Sequence, residues 1–126
     1  MSGEFASVRY IVDDVDAAIA FYAGQLGFDV VMHPAPPFAI LQRSALRLLL
    51  SAPSGQGGGG QVTEAGRPEP GGWNRISLIV EDLDAEIERL RGAGVAFRTD
   101  RIQGVGGAQV LVADPAGNLV ELFQPQ

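Results

Sequence analysis

Short runs of hydrophobic residues, broken by acidic and glycine-containing turns, recur along the chain in a fixed order. From Arg9 the sequence reads RYIVDDVDAAIAFYAGQLGF, and from Ser77 it reads SLIVEDLDAEIERLRGAGV. Each stretch passes from an apolar strand through acidic residues into an amphipathic helix and ends at Leu-Gly or Ala-Gly. Val15, Ile19, Tyr22 and Leu26 share one face of the first predicted helix, as Leu83, Ile87 and Leu90 do in the second. The acidic residues at each start suit an N-terminal cap and the positive end of the helix dipole, and Gly27 and Gly94 suit C-terminal stops. Asp14, Asp16, Ala17 and Ile19 match Asp82, Asp84, Ala85 and Ile87, so the two stretches are an internal repeat.

Three β-like segments follow each helix: FDVVMH, FAILQR and LRLLLS in the first half, VAFRTD, AQVLVA and NLVELF in the second. Each half is therefore predicted as β-α-β-β-β, and the chain as an α+β fold. DPAGN, with proline and glycine where a tight turn needs them, places Asn118 to Gln124 on a returning strand. One domain over 1–126 is expected, with module one at 5–52, a Gly/Pro-rich connector at 53–72 and module two at 73–126. The connector is too rich in glycine and proline for a regular element. It lacks the Lys-Ser/Thr pair and following helix of a phosphate-binding loop, so it is read as a flexible link able to act as a lid.

Alternation along the strands divides their side chains into two sets. Val8, Tyr10, Val12, Leu46, Leu48, Leu50, Ile76, Leu78, Val80, Val110, Val112, Val120 and Leu122 form an apolar set that the helices should cover. The opposite set, which includes Arg9, Arg47, Leu49, Arg75, Ser77, Leu111, Glu121 and Phe123, mixes charge with hydrocarbon. Exposing that many large apolar side chains forgoes roughly 1.5–3 kcal/mol each. The mixed set is therefore expected to line a ligand cavity, with both modules contributing to one curved sheet.

Charge narrows the partners. Nine basic residues, all arginine, against fifteen acidic ones give a net charge of −6, which argues against nucleic acid and anionic membranes. Without cysteine there is no disulfide, thiolate metal site or cysteine nucleophile. No apolar run reaches membrane-spanning length and the start has no basic-then-apolar leader. A soluble cytoplasmic protein is expected.

With the two strand-Asp-Val/Leu-Asp-Ala-helix openings, FYAGQLGF at 21–28 and DPAGNLVELF at 114–123, nearly the whole chain resembles the vicinal oxygen chelate superfamily. That group includes glyoxalase I, extradiol dioxygenases, fosfomycin resistance proteins and bleomycin resistance proteins. The resemblance implies paired modules closing around a cavity, commonly in a homodimer. For metal-using members it implies up to four ligands, at positions that fall here on Ser7, Leu49, Arg75 and Glu121. Only Glu121 is an ordinary ligand, and Arg75 puts a permanent positive charge where a cation should sit. The lone histidine, His33, falls at the end of a strand away from these positions.

These readings favour a metal-independent binding protein that resembles the bleomycin resistance members and holds a small organic molecule between its modules. Arg9, Arg47 and Arg75 would grip an anionic group, with Ser77, Leu49 and Glu121 beside them and Phe123 and Trp73 able to stack on a ring. Glu121, among arginines, is expected to pair with one of them and to make a poor proton acceptor. The alternative is an enzyme, either a glyoxalase-like or dioxygenase-like member with a divergent divalent-metal site or a metal-free isomerase using Glu121 or His33. A dimeric interaction module without a small ligand is the third class.

Overall fold

The computed structural model describes residues 5–54 and 58–126; residues 55–57 of the predicted connector lie outside the described residues. The chain separates into two compact units, Met1–Gly71 and Gly72–Gln126. The first contains β1 (Ala6–Ile11), α1 (Val15–Gln25), β2 (Asp29–Ala35), β3 (Phe38–Arg43) and β4 (Leu46–Ser51). The second contains β5 (Arg75–Ile79), α2 (Leu83–Gly92), β6 (Ala96–Phe97), β7 (Ile102–Gln103), β8 (Gly107–Ala113) and β9 (Leu119–Pro125). The fold is α+β, with one mixed sheet in each unit. Strand order is β1-β4-β3-β2 in the first and β5-β9-β8-β6 in the second, where β7 also pairs with β8. In both sheets the strand before the helix runs parallel to the last strand of its unit, β1 beside β4 and β5 beside β9.

The helix ends follow from side-chain chemistry. Asp14 and Asp82 are the N-caps, and their carboxylates accept hydrogen bonds from the amides of Ala17 (3.1 Å) and Ala85 (3.0 Å). Beyond the other ends, Gly27 and Gly94 have φ of 72° and 79°, the left-handed conformation that glycine enters without a Cβ penalty. On α2, Arg89 donates to Glu86 one turn away, and this bond raises the guanidinium pKa above its ordinary value. The buried stripe of α1 runs through Val15, Ala18, Phe21 and Tyr22, while Ile19 is only half-buried. Size makes Ile19 conspicuous in the pattern, but the small Ala18 occupies the position pressed toward the sheet. Tyr22 is fully enclosed, edge-on to Tyr10, Phe21 and Phe28.

Module two departs from three clean strands after its helix. The segment read as one strand, VAFRTD, contributes only two residues as β6, and a second short piece, β7, follows. Both Arg98 and Thr99 amides point to the carbonyl of Leu111 (2.8 and 3.4 Å), and the Thr99 hydroxyl accepts from the Leu111 amide at 3.1 Å. Two residues therefore face one across the sheet and a side chain takes over a ladder bond, which bends the edge strand as a bulge does. The turn from β8 to β9 is built on buried Asp114, whose Oδ1 accepts from the amides of Ala116 and Asn118 (2.9 Å each) and whose Oδ2 accepts from the Asn118 side chain (3.1 Å).

Strand parity follows the alternation in the sequence. Along β5 the residues alternate exposed and buried, with Ile76 and Leu78 inside and Arg75, Ser77 and Ile79 outside. Tyr10, Leu48, Leu50, Val110, Val112, Val120 and Leu122 are all buried. α1 packs on β2, β3 and β4, and α2 on β8 and β9. Among the described residues no helix is long and apolar enough to cross a membrane.

Replacing Asp114 with alanine is expected to leave the Asn118 amides without their acceptor and to lower stability by about 2 kcal/mol. The midpoint of urea unfolding, compared at unchanged slope, measures the loss.

Candidate functional site

The mixed face of module two centres on Glu121. β5 and β9 pair in parallel so that Ser77 stands beside Glu121 and Arg75 beside Leu119, while Leu111 of β8 flanks Glu121 on its other side. The Arg75 guanidinium donates to Glu121 Oε1 through Nη2 (3.0 Å) and Nε (3.2 Å), and the Ser77 hydroxyl donates to Oε2 at 2.8 Å. Both carboxylate oxygens are thus engaged by side chains of the adjacent strand. The arrangement is partly sheltered, with 29% of the Arg75 side chain and 16% of the Glu121 side chain exposed. Phe123 continues the same face beyond Glu121 and is half-buried. Arg75 Nη1 also donates to the carbonyl of Trp73 (3.4 Å), which ties the approach to β5 into this network.

Module one carries a different chemistry at the matching places. Its register sets Ser7 beside Arg47 and Arg9 beside Leu49, so Leu49 holds the position of Glu121 and Arg9 that of Ser77. Arg47 stacks on Phe5, with the guanidinium carbon 4.4 Å from the ring centroid, and its buried Nε has no hydrogen-bond partner. The connector meets this same face. The Ser51 hydroxyl, one alternation beyond Leu49, donates to the Gly58 carbonyl at 2.6 Å. A side-chain carbon at Gly59 would collide with the Arg9 guanidinium, and one at Gly58 would come within 2.9 Å of Phe38 Cβ. With φ of 81° and 89° at Gly58 and Gly59, only glycine suits this approach. The described part of the connector also contains a bridge between Ser54 and Gln61 and a turn closed between Thr63 and Gly66.

The predicted site residues therefore fall into two groups. Arg75, Ser77 and Glu121 are joined directly, with Trp73 attached through its carbonyl and Phe123 next along the face. Arg9, Arg47 and Leu49 share the other sheet's mixed face. Arg75, Arg89, Arg91 and Arg101 have carboxylate partners; Arg9, Arg43, Arg47, Arg67 and Arg98 have none among the described residues. His33 lies exposed on β2, 3.9 Å from Asp16, and among the described residues no three His, Cys, Asp or Glu side chains converge as a metal site. The donor set does not fit a divalent ion: a guanidinium stands 3.0 Å from the carboxylate oxygen such an ion would need.

Two aromatic-arginine contacts escaped the sequence reading. Arg98 lies with its guanidinium carbon 5.2 Å from the centroid of Trp73, and Phe5 receives Arg47 as described. Phe5 stands 68 residues before Trp73, the same separation as Asp14 from Asp82, so the repeat itself carried a signal for Phe5. Nothing in the alternation marked Arg98, because it follows the break after β6.

Two units, each with one helix on a mixed sheet whose first and last strands run parallel, define a protein of the glyoxalase and bleomycin resistance type. The sequence matches the family model of the Glyoxalase/Bleomycin resistance protein/Dioxygenase superfamily over residues 4–122, and the chain belongs to that superfamily. Among solved structures it is similar to a member of the superfamily from Sphaerobacter thermophilus, with 30% identity, a TM-score of 0.76 and 98% of each chain covered. It is also similar to TnmS3, an antibiotic binding protein from Streptomyces sp. CB03234, at 24% identity and a TM-score of 0.75, covering 99% of this chain and 98% of that one. A lactoylglutathione lyase from Agrobacterium tumefaciens shares the fold at 22% identity and a TM-score of 0.76, covering 98% of this chain and 94% of that one. No curated protein sequence matches the chain.

A double-mutant cycle on Arg75→Ala and Glu121→Ala is expected to give a coupling of about 1 kcal/mol, since two guanidinium N–H groups share one carboxylate oxygen in a pair that is not fully buried. Unfolding free energies of the four proteins measure it, and the coupling should shrink as salt is raised.

Proposed function

We propose that the protein is a metal-independent small-molecule-binding member of its superfamily that takes an anionic or aromatic organic ligand on the mixed faces of its sheets. The observation that carries this reading is the state of the two charge sets. Glu121, the one retained donor among the superfamily's ligand positions, is occupied by Arg75 and Ser77. Arg9 and Arg47 have no carboxylate partner among the described residues. The face of module two, its acid already engaged, offers little to a cation, and the face of module one, with guanidinium groups that lack carboxylate partners, offers hydrogen-bond donors to an anion. Leu49 and Phe123 supply apolar surface beside these groups. The similarity of fold to an antibiotic binding protein is in keeping with a binding role. A homodimer, which the family resemblance implies, and a cytoplasmic location, expected from the composition of the sequence, complete the proposal.

The alternative, a lyase, isomerase or oxygenase with a divergent metal site, needs several donors around one ion. A carboxylate held by arginine and serine does not begin such a site.

Protein dialysed against a chelator is expected to keep its thermal shift with acidic aromatic compounds. Saturation at a hundred times the dissociation constant adds about 2.7 kcal/mol of stability. Arg9→Gln and Arg47→Gln should each reduce the shift. Stoichiometric divalent metal in the purified protein, together with metal-dependent glyoxalase turnover, would overturn the proposal.

A further inference from the structure

Module two carries an exposed aromatic platform in which Trp73, expected from the sequence to stack on a ligand ring, meets an arginine outside the predicted site. Trp73 is the chain's only tryptophan and is 65% exposed, an unfavourable place for the largest apolar side chain. Its indole has one described ring partner, the guanidinium of Arg98 at 5.2 Å. Both members are anchored through their backbones. The Trp73 carbonyl accepts from Arg75, and the Arg98 amide donates to Leu111 at 2.8 Å, at the bulge where β6 ends. The stack is therefore tied on one side to the Arg75–Glu121 pair and on the other to the strand that flanks Glu121.

The repeat argues that this contact is more than an incidental surface packing. Phe5 holds the place of Trp73 in module one and is covered in the same way by Arg47. The two arginines do not correspond. Arg47 stands beside Ser7, and the matching partner of Arg75 is Leu119, whereas Arg98 comes from the bulged edge of the sheet. Duplication alone would have repeated the arginine at one register. Instead, β4 in one module and the segment just after β6 in the other deliver a guanidinium to equivalent rings.

We infer that Trp73 and Arg98 form a recognition platform for the carboxylate of a planar aromatic acid, with Arg98 rather than Arg75 supplying the anion grip in module two. This rests on the reading of the protein as a binder of anionic or aromatic molecules, and it assigns the carboxylate to a residue outside the predicted site. The Arg98 guanidinium makes no side-chain hydrogen bond among the described residues, and its free N–H groups match a carboxylate through two parallel hydrogen bonds. Arg75 has already committed such groups to Glu121. Arg98 has no carboxylate partner among the described residues, and the open indole beside it gives an aromatic ring an apolar surface.

Cinnamate and its uncharged analogue cinnamamide test the assignment, with emission of the single tryptophan and calorimetry read on the same samples. Cinnamate should change Trp73 emission saturably and bind about tenfold or more tightly than cinnamamide. Arg98→Gln should remove most of that preference while leaving cinnamamide affinity unchanged, and Arg98→Lys, which keeps charge without the planar fork, should restore only part of it. Arg43→Gln serves as a control at another arginine with no described carboxylate partner. Far-UV circular dichroism verifies that the exposed substitutions leave the fold intact. Cinnamate binding that persists unchanged in Arg98→Gln with Trp73 emission unaltered would overturn the platform and leave the ligand-binding reading standing. Absence of cinnamate binding in the unsubstituted protein, by heat and by emission alike, would overturn the platform; a thermal shift that the other acidic aromatic compounds still produce would then preserve the broader reading.

Discussion

Alternation of side chains along the strands is the constraint from which the rest of this protein's organisation descends. A residue on a pleated strand cannot choose its side independently of its neighbours, so once Ile76 and Leu78 are committed to the core, Arg75, Ser77 and Ile79 must face the other way. The same holds for Leu48 and Leu50 against Arg47 and Leu49. Burial of the apolar set under α1 and α2 therefore fixes the register of the polar set at no additional cost in specificity. A slip of one residue would expose the core and bury several guanidinium groups together.

Within that frame the two modules have diverged at equivalent places. Where module two sets an acid, an arginine and a hydroxyl into a closed hydrogen-bonded group, module one sets a leucine beside an arginine. The first arrangement satisfies its own charges. The second leaves positive charge facing outward from its sheet in a chain whose net charge is −6. Desolvating an unpaired guanidinium is costly, and the buried Nε of Arg47 without a hydrogen-bond partner is the sort of departure that structures tolerate where a ligand completes the bonding. Stacking on Phe5 offsets part of that cost in the free protein.

The connector illustrates how composition and placement divide the work. Its glycines read as looseness in isolation, because glycine gives a chain its greatest conformational freedom. In the folded protein, the described glycines allow backbone to lie directly on the Arg9 guanidinium and on Phe38, where any Cβ would intrude. The Ser51–Gly58 hydrogen bond then fastens the segment to the sheet. Connector and mixed face are parts of one surface in module one, and a change in either alters the setting of Arg9.

Much of the fold was legible from local chemistry alone: the repeat, both helices with their Asp caps and glycine stops, the DPAGN turn, and the side of each strand that Arg9, Arg47, Arg75 and Glu121 occupy. These are set by interactions among residues a few positions apart, which a linear pattern records. The loss of ligand character at three of the four superfamily positions was equally plain, since Ser7, Leu49 and Arg75 declare their chemistry by identity. Tertiary structure decided which charges meet. Glu121 has Arg75 and Ser77 as partners because β9 runs parallel to β5 in one register, and no spacing within either segment states that register. Arg98 reaches Trp73 only because the edge strand bulges opposite Leu111, a contact between residues distant in sequence. Pairings across strands depend on where separate segments come to rest, and that is settled by packing of the whole unit.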